Sequence, residues 1–325
     1  MARDANTKVT TQAVGNREDL SDVTVRIYAD QMPFMAMAGK AAAKATDHEW
    51  VTTEIRAGQL GNSQPEGAKA RTTAAKTRVR LKNTCQIFDE YVSVSKTQEK
   101  VDKAAINSEL KEQKKLKLVE MNLDREVTYC SAQARRDEIG TDDGEGRQLS
   151  GIQCFASTAG NTSRGTGGVD PVVTNGYHGA PTAGTNRTFT EAQLRDVMRG
   201  MYKNGAVGNK TALMGPELKE TASSFKGIAE NRRPITGRGK AVIIAAADVI
   251  VTDFGELTMA PHQGAFANEC LIVQERVIKV AKLRGTAYQK LAKTGDSDEG
   301  EYVCEDTLVV TNPKGIGIVA DVIAA

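Results

Sequence analysis

The clearest pattern in the chain is a shift from period two to a period near 3.6. Arg78-Val79-Arg80-Leu81-Lys82 alternates, with apolar residues on odd numbers, and the alternation continues through Cys85 and Ile87. That is the signature of a strand with one sheltered and one polar face. Trp50 to Arg56 reads as a second strand, and the breaker-rich run from Gly58 to Gly67 lies between the two. Together they predict a hairpin with a long tip. A lone two-stranded arm is marginal in water, so it must rest on something else.

After the hairpin the period changes. No Gly or Pro occurs from Ala68 to Ile139. Apolar residues recur at Ile106, Leu110, Leu116, Val119, Leu123, Val127, Cys130 and Ala134, mostly three or four apart. This predicts one long amphipathic helix from about Lys100 to Arg136, ended by Gly140. Its length would be roughly 50 Å at 1.5 Å per residue. Lys111, Glu112, Lys115, Glu120 and Asp124 form the opposite, solvated or partner-facing stripe. A coiled coil is the rival reading, but no strict heptad is sustained.

The remaining segments are weaker. Residues 1–16 are polar, and such an end orders only when something ties it down. Leu20 to Met37 is apolar, and Pro33 makes its end a short strand or turn leading to Gly39. Residues 140–188 are rich in Gly, Ser, Thr and Asn and read as loop. Thr190 and Gln193 fit a capping box before Leu194, Val197, Met198 and Met201. Ala212 to Met214 reads as a strand, and Pro216 opens a further helix. Val242-Ile243-Ile244 and Val249-Ile250-Val251 read as buried strand. Further strands are expected at 257–259, 271–280, 302–303, 308–310 and 316–319. The fold class is α+β.

Composition narrows the function classes. The 325 residues suggest about two domains, on a prior of roughly 150 residues each. Lys and Arg number 43 against 41 Asp and Glu, for a net charge of +2. That excludes a wholly cationic nucleic-acid binder. The longest apolar run, Ala241 to Ile250, is too short to span a bilayer. The first residues lack the pattern of a signal peptide. Cys85, Cys130, Cys154, Cys270 and Cys304 are odd in number and widely spread, which predicts free, mostly buried thiols. His48, His178 and His262 lie far apart, so neither a His-based metal site nor a triad is expected.

Motifs for chemistry fail on inspection. Gly205 to Thr211 approaches a phosphate-binding loop, but Asn209 stands where Gly must precede the Lys, and the helix lies before the loop rather than after it. A helix-to-strand turn is the plainer reading. Asp296 to Gly300 is acidic but lacks calcium-loop spacing. The expectation is a protein with no catalytic residues, no cofactor, no metal and no small-molecule substrate.

A charge asymmetry is more informative. Lys69, Arg71, Lys76, Arg78, Arg80 and Lys82 lie in a stretch without an acid. Asp296, Asp298, Glu299, Glu301, Glu305 and Asp306 lie in one without a base. The plain reading is two solvated faces. The sharper one is that the basic arm meets the acidic segment, within one chain or between chains. Single exposed pairs contribute ~0–1 kcal/mol, yet a patch sets register and partner choice. A nucleic-acid-binding module using 69–82 is the alternative.

The order of parts resembles a tailed-phage major capsid protein of the Hong Kong 97-like fold, close to the podovirus-like major head proteins. The resemblance is carried by Arg17 to Val23, Pro33-Phe34, Glu49-Trp50, Asn62 to Gly67, Asn83 to Ile87, the long helix, Leu291 to Ser297, Glu305 to Leu308 and Asn312. It covers roughly 17–137 and 270–320 and is weak over 140–265. It implies an N-terminal arm (1–30), an extended E-loop (48–92), a P-domain with the spine helix (96–137 and 270–325) and an A-domain (140–268). It also implies an icosahedral shell built of hexamers and pentamers around double-stranded DNA, assembled in the host cytoplasm. The implied partners are copies of itself, a portal, and scaffold or decoration proteins, with no membrane. No residue set supports the Lys–Asn cross-linking of one branch of the fold.

Overall fold

A computed structural model describes residues 32–56, 58, 60–71, 75–103, 106–139, 145–225, 249–293 and 295–324. The expected arm (1–30) and the strand at 242–244 lie outside them. Five α-helices are described: α1 (Pro33–Met37), α2 (Lys96–Lys100), α3 (Glu109–Cys130), α4 (Glu191–Lys203) and α5 (Pro216–Ser223). The strands before α4 are β1 (Gly39–Ala42), β2 (Asp47–Thr52), β3 (Val79–Thr84), β4 (Gln86–Ser95), β5 (Thr162–Ser163), β6 (Val173–Thr174), β7 (Tyr177–His178) and β8 (Arg187–Thr188). Those after it are β9 (Lys210–Met214), β10 (Val249–Thr252), β11 (Gly255–Pro261), β12 (Cys270–Val273), β13 (Ile278–Lys290), β14 (Ser297–Val310), β15 (Ile316–Val319) and β16 (Val322–Ile323).

Two sheets organise the chain. One has the order β1-β13-β14-β4 and packs α3 on one face. The other has the order β10-β11-β9-β12-β15-β5 and carries α4 and α5. The first core joins Phe34, Phe88, Met121 and Tyr129 to Ile278, Leu308 and Ile316. Tyr129 lies 6.3 Å, centroid to centroid, from both Phe34 and Phe88. The second core sets Leu194, Val197, Met198 and Met201 of α4 against Met214, Ile272 and Val319. The expected face of α4 is therefore its buried face. Its first turn carries the capping box, in which Thr190 N–H donates to Gln193 Oε1 at 3.0 Å.

Several expectations need correction. The long helix spans 22 residues, about 33 Å, rather than 100–136. Ser108 caps its start by accepting from Lys111 N–H, and Glu99 accepts from the Ser108 hydroxyl and Leu110 N–H. At the other end Ser131 leaves the helix, and Arg136 pairs by its backbone with Gln148 instead. Local caps overrode a periodicity that continues past them. Pro33 is not a break but the first residue of α1, where its missing N–H costs nothing. The odd-numbered alternation ends at Cys85, which separates β3 from β4 and donates its N–H to Thr46 O. Beyond it the sheltered positions are even: Phe88, Val92 and Val94 are buried while Ile87 is 43% exposed. Val249 to Val251 is an edge strand and not buried, with Val251 76% exposed. β13 and β14 form one long antiparallel hairpin in place of the shorter strands expected there.

Candidate assembly surface

The predicted hairpin exists as β2 and β3, though its first strand runs Asp47–Thr52 rather than Trp50 to Arg56; the two pair antiparallel with Trp50 opposite Leu81 and Val51 opposite Arg80. Alternation puts Trp50 and Leu81 on one face and Arg80, Lys82, Val51 and Glu49 on the other. The first face is anchored. Leu81 is buried, and Trp50 lies 6.3 Å from the Phe155 ring. Asn83 fixes the root by donating to Leu308 O at 2.8 Å and accepting from Ser150 N–H at 2.8 Å. A second hairpin, β6 and β7, clips onto β3: Lys82 N–H donates to Gly176 O at 2.8 Å. Asn175 and Gly176 both have positive φ, the conformation a two-residue hairpin turn requires. The Asn-Gly pair was the signal for this clip, and the loop reading of 140–188 missed it. Arg135 lies over the Tyr177 ring at 3.9 Å and donates to Thr84 Oγ1 at 2.8 Å.

The tip beyond β2 and β3 lacks such anchoring. Ile55 is 96% exposed, and Leu60 is fully exposed. Lys69, Arg71, Lys76 and Arg78 are exposed as well, and Arg71 donates to Ser63 O at 2.8 Å. Arg80 and Lys82 both reach Glu49, at 3.1 and 2.8 Å. The Lys82 hydrogen bond holds the Glu49 carboxyl below the usual range.

The acidic segment is β14 and the turn before it. Asp296 meets Lys96 at 3.3 Å, and Asp298 meets Lys293 at 2.9 Å. Glu299 accepts from the Ser297 hydroxyl. Glu305 is buried between Arg147 and Arg284. Asp306 is fully buried, paired with Arg125 and accepting from the Tyr129 hydroxyl. Among the described residues no ion pair joins 69–82 to 296–306. Glu305 and Asp306 must also leave the set available to a partner, because their own chain encloses and neutralises them.

Other candidate chemistry resolves into structure. All five thiols are free and buried. Glu126, Cys130 and His262 place three ligand atoms within 4.8 Å of one another. Yet the Glu126 carboxylate already accepts the N–H groups of Phe34 and Met35, at 2.6 and 2.8 Å. Gly264 N–H donates to His262 Nδ1 at 3.2 Å, which leaves the ring proton on Nε2, facing Glu126 Oε1 at 3.2 Å. The imidazole's lone pair is used, so the cluster is a hydrogen-bonded tie between α3, α1 and the segment that follows β11. Lys210 of the phosphate-loop lookalike donates to Gly208 O at 2.9 Å and closes the helix-to-strand turn. Among the described residues no helix is long and apolar enough to cross a membrane.

The architecture has solved counterparts. The chain resembles the capsid asymmetric unit of cyanophage A-1(L), with a TM-score of 0.66, 11% identity, and 96% of this chain and 98% of that one covered. The capsid of a native GTA particle gives 0.55 at 12% identity, with 96% of each chain covered. The capsid of cyanophage P-SCSP1u gives 0.54 at 8% identity, with 99% and 100% covered. No curated protein matches the chain. The fold is that of Hong Kong 97-like phage capsid subunits. The family model described as SU10 major capsid protein matches residues 5–322, and the chain belongs to that family. Its role is to form the capsid shell of a bacteriophage.

Proposed function

We propose that copies of this chain close as hexamers and pentamers into an icosahedral head around double-stranded DNA, with a portal at one vertex. Scaffold or decoration proteins are separate partners, and assembly takes place in the host cytoplasm. In this reading 1–30 is the arm, 48–92 the E-loop, 96–137 with 270–325 the P-domain and 140–268 the A-domain. The basic 69–82 stretch then docks on the acidic 296–306 segment of an adjacent subunit. One observation carries the reading: the hairpin is anchored at its root while its tip holds Ile55 and Leu60 in full solvent exposure. Exposed apolar side chains on a protruding limb mark a contact surface. The DNA meets scattered Lys and Arg rather than a site, because the net charge of +2 limits phosphate affinity.

Negative-stain microscopy of the expressed chain tests this directly. Shells, tubes or capsomer rings are expected, and a monodisperse monomer at all concentrations refutes the reading. Arg78→Glu with Arg80→Glu is expected to weaken assembly while leaving the subunit folded. Normal shell yield with unchanged salt resistance would remove the basic stretch from the interface.

A further inference from the structure

The β6–β7 clip rests on a histidine where an apolar anchor would hold it better. From Thr166 to Thr188 only Pro171 and His178 are buried, and Val169, Val172 and Val173 stay exposed. His178 is 1% exposed and packs on Phe155, with ring centroids 4.4 Å apart. The Phe155 ring in turn meets Trp50 at the hairpin root. Neither imidazole nitrogen has a hydrogen-bond partner of full geometry, and the Cys154 backbone offsets the burial only in part. A buried polar group left this way carries a desolvation penalty that a phenylalanine would not incur.

The surroundings offer no free counter-charge. Among the described residues no carboxylate forms an ion pair with His178. The carboxylates around the clip are engaged: Asp170 with Arg164, Asp137 with Arg135, and Asp47 with the Thr84 hydroxyl. Arg80 and Lys82 of β3 are held by Glu49, and Arg147 by Glu305. Cys154, on the turn packed against the ring, directs its thiol to the carbonyls of Ala132 and Gln133. Arg135, Tyr177 and His178 border one cavity of about 340 Å³. A charged imidazole would therefore be buried beside a cation, with no anion left to meet it.

Few contacts keep the clip shut. Lys82 N–H donates to Gly176 O, the Lys82 ammonium lies 5.5 Å from the Tyr177 ring centroid, and Ser150 Oγ donates to His178 O at 3.1 Å. A segment with so little buried surface opens locally, at a lower free energy than the core. The open form gives the imidazole to water, where it protonates readily. The neutral ring favours the closed form, so the clip is secure above pH 6.5 and loosens as pH falls toward 4.

We propose that His178 is an acid-sensitive latch: on protonation the β6–β7 clip leaves β3 and frees that strand at the hairpin root, while the Asn83 bonds keep the root attached. The latch belongs to the single subunit and stands apart from shell formation.

Hydrogen exchange of the unassembled subunit, read by mass spectrometry and corrected for the intrinsic rate, tests it. With a pKa of about 4 closed and 6.5 open, the open fraction of the clip is expected to rise about thirtyfold between pH 7.5 and pH 5. Peptides within 169–182 are expected to lose protection, and those of α3 to keep theirs. His178→Phe keeps the ring contact and is expected to abolish the rise, and His178→Leu serves if the phenylalanine prevents folding. His48, 6.0 Å from Trp50, is the other histidine near the root, and its pKa is also lowered by burial. His48→Phe is expected to leave the rise in place. Clip exchange that follows the intrinsic rate alone would overturn the proposal. So would a rise that survives His178→Phe, one that vanishes with His48→Phe, or an equal loss of protection across α3. If neither His178 variant folds, the wild-type comparison of clip with α3 decides: a rise confined to the clip supports the latch, and an equal rise or none refutes it.

Discussion

Replacing Asp306 by Ala probes the charge at the centre of the larger core. Asp306 is fully buried, and Arg125 is 3% exposed. Arg125 pairs with one carboxylate oxygen, and the Tyr129 hydroxyl donates to the other at 2.5 Å. Burial works against the guanidinium charge, yet Tyr129 and Asp306 raise its pKa overall. A guanidinium does not lose its proton inside a protein, so Arg125 stays a cation when its partner is removed. Breaking a buried pair from one side costs about 3–5 kcal/mol, because the surviving charge is left uncompensated. Tyr129 loses its acceptor as well, a loss of about 1–3 kcal/mol when taken alone. The two losses share one site and do not add. A cost of about 4 kcal/mol lowers the folding constant roughly a thousandfold.

The assay is urea unfolding of the unassembled subunit, followed by the fluorescence of the single tryptophan, Trp50. Trp50 lies in β2 opposite Leu81 and packs against the core that holds Tyr129 and Leu308, so the probe reports on the same core. Asp306→Asn keeps an acceptor for Tyr129 and is expected to cost less than Asp306→Ala. The replacement of all three polar partners by apolar groups, as Arg125→Met, Tyr129→Phe and Asp306→Leu, is expected to recover much of the loss. An Asp306→Ala midpoint within about 1 kcal/mol of wild type would refute the reasoning, and so would a triple variant less stable than Asp306→Ala.

Three further outcomes follow. His178 is 1% exposed against Phe155 with neither ring nitrogen bonded, and burial lowers its pKa from 6.5 to about 4. Its neutral form is the native one, so its contribution is present above pH 6.5 and is lost as pH falls toward 4. The full loss is about 3 kcal/mol, and His178→Phe is expected to flatten that part of the stability–pH curve. Gly200 in α4 faces the backbone of Gly160, and an added methyl would overlap that carbonyl oxygen. Gly200→Ala is expected to destabilise by about 1–3 kcal/mol or more, seen as a lower melting temperature. Burial pushes the Cys85, Cys154 and Cys270 thiols up to about 12, so alkylation near neutral pH is expected only after unfolding, checked by mass spectrometry.

Much of the fold was legible because it rests on local signals. The capping box at Thr190, Pro216 at the head of α5 and the β2–β3 hairpin needed nothing beyond neighbouring residues. The failures share a cause. The period of α3 continues past Ser108 and Ser131, and local hydrogen bonds at Ser108, Glu99 and Ser131 end the helix. The phase change at Cys85 depends on a bond to Thr46, a partner 39 residues away. β13 was underestimated because its outer half, Arg284 to Lys290, is polar and largely exposed and shows no apolar alternation.

The acidic run shows the same limit in the site itself. Six carboxylates between 296 and 306 look equivalent in one dimension, yet three-dimensional pairing gives them three fates. Asp306 and Glu305 are enclosed, and they tie α3 and the 145–150 segment to the sheet. Asp296 and Asp298 are met by Lys96 of α2 and by Lys293 at the turn end of the β13–β14 hairpin. Only Glu299 and Glu301 face away from α3 without a base. A charge count over the segment therefore overstates what a partner meets and misses Asp89, which arrives on that face from β4. The unmatched charge that remains is small, and this suits a contact repeated many times in a closed shell. An exposed pair contributes only ~0–1 kcal/mol, so a face of this kind sets register through several weak contacts rather than one strong one.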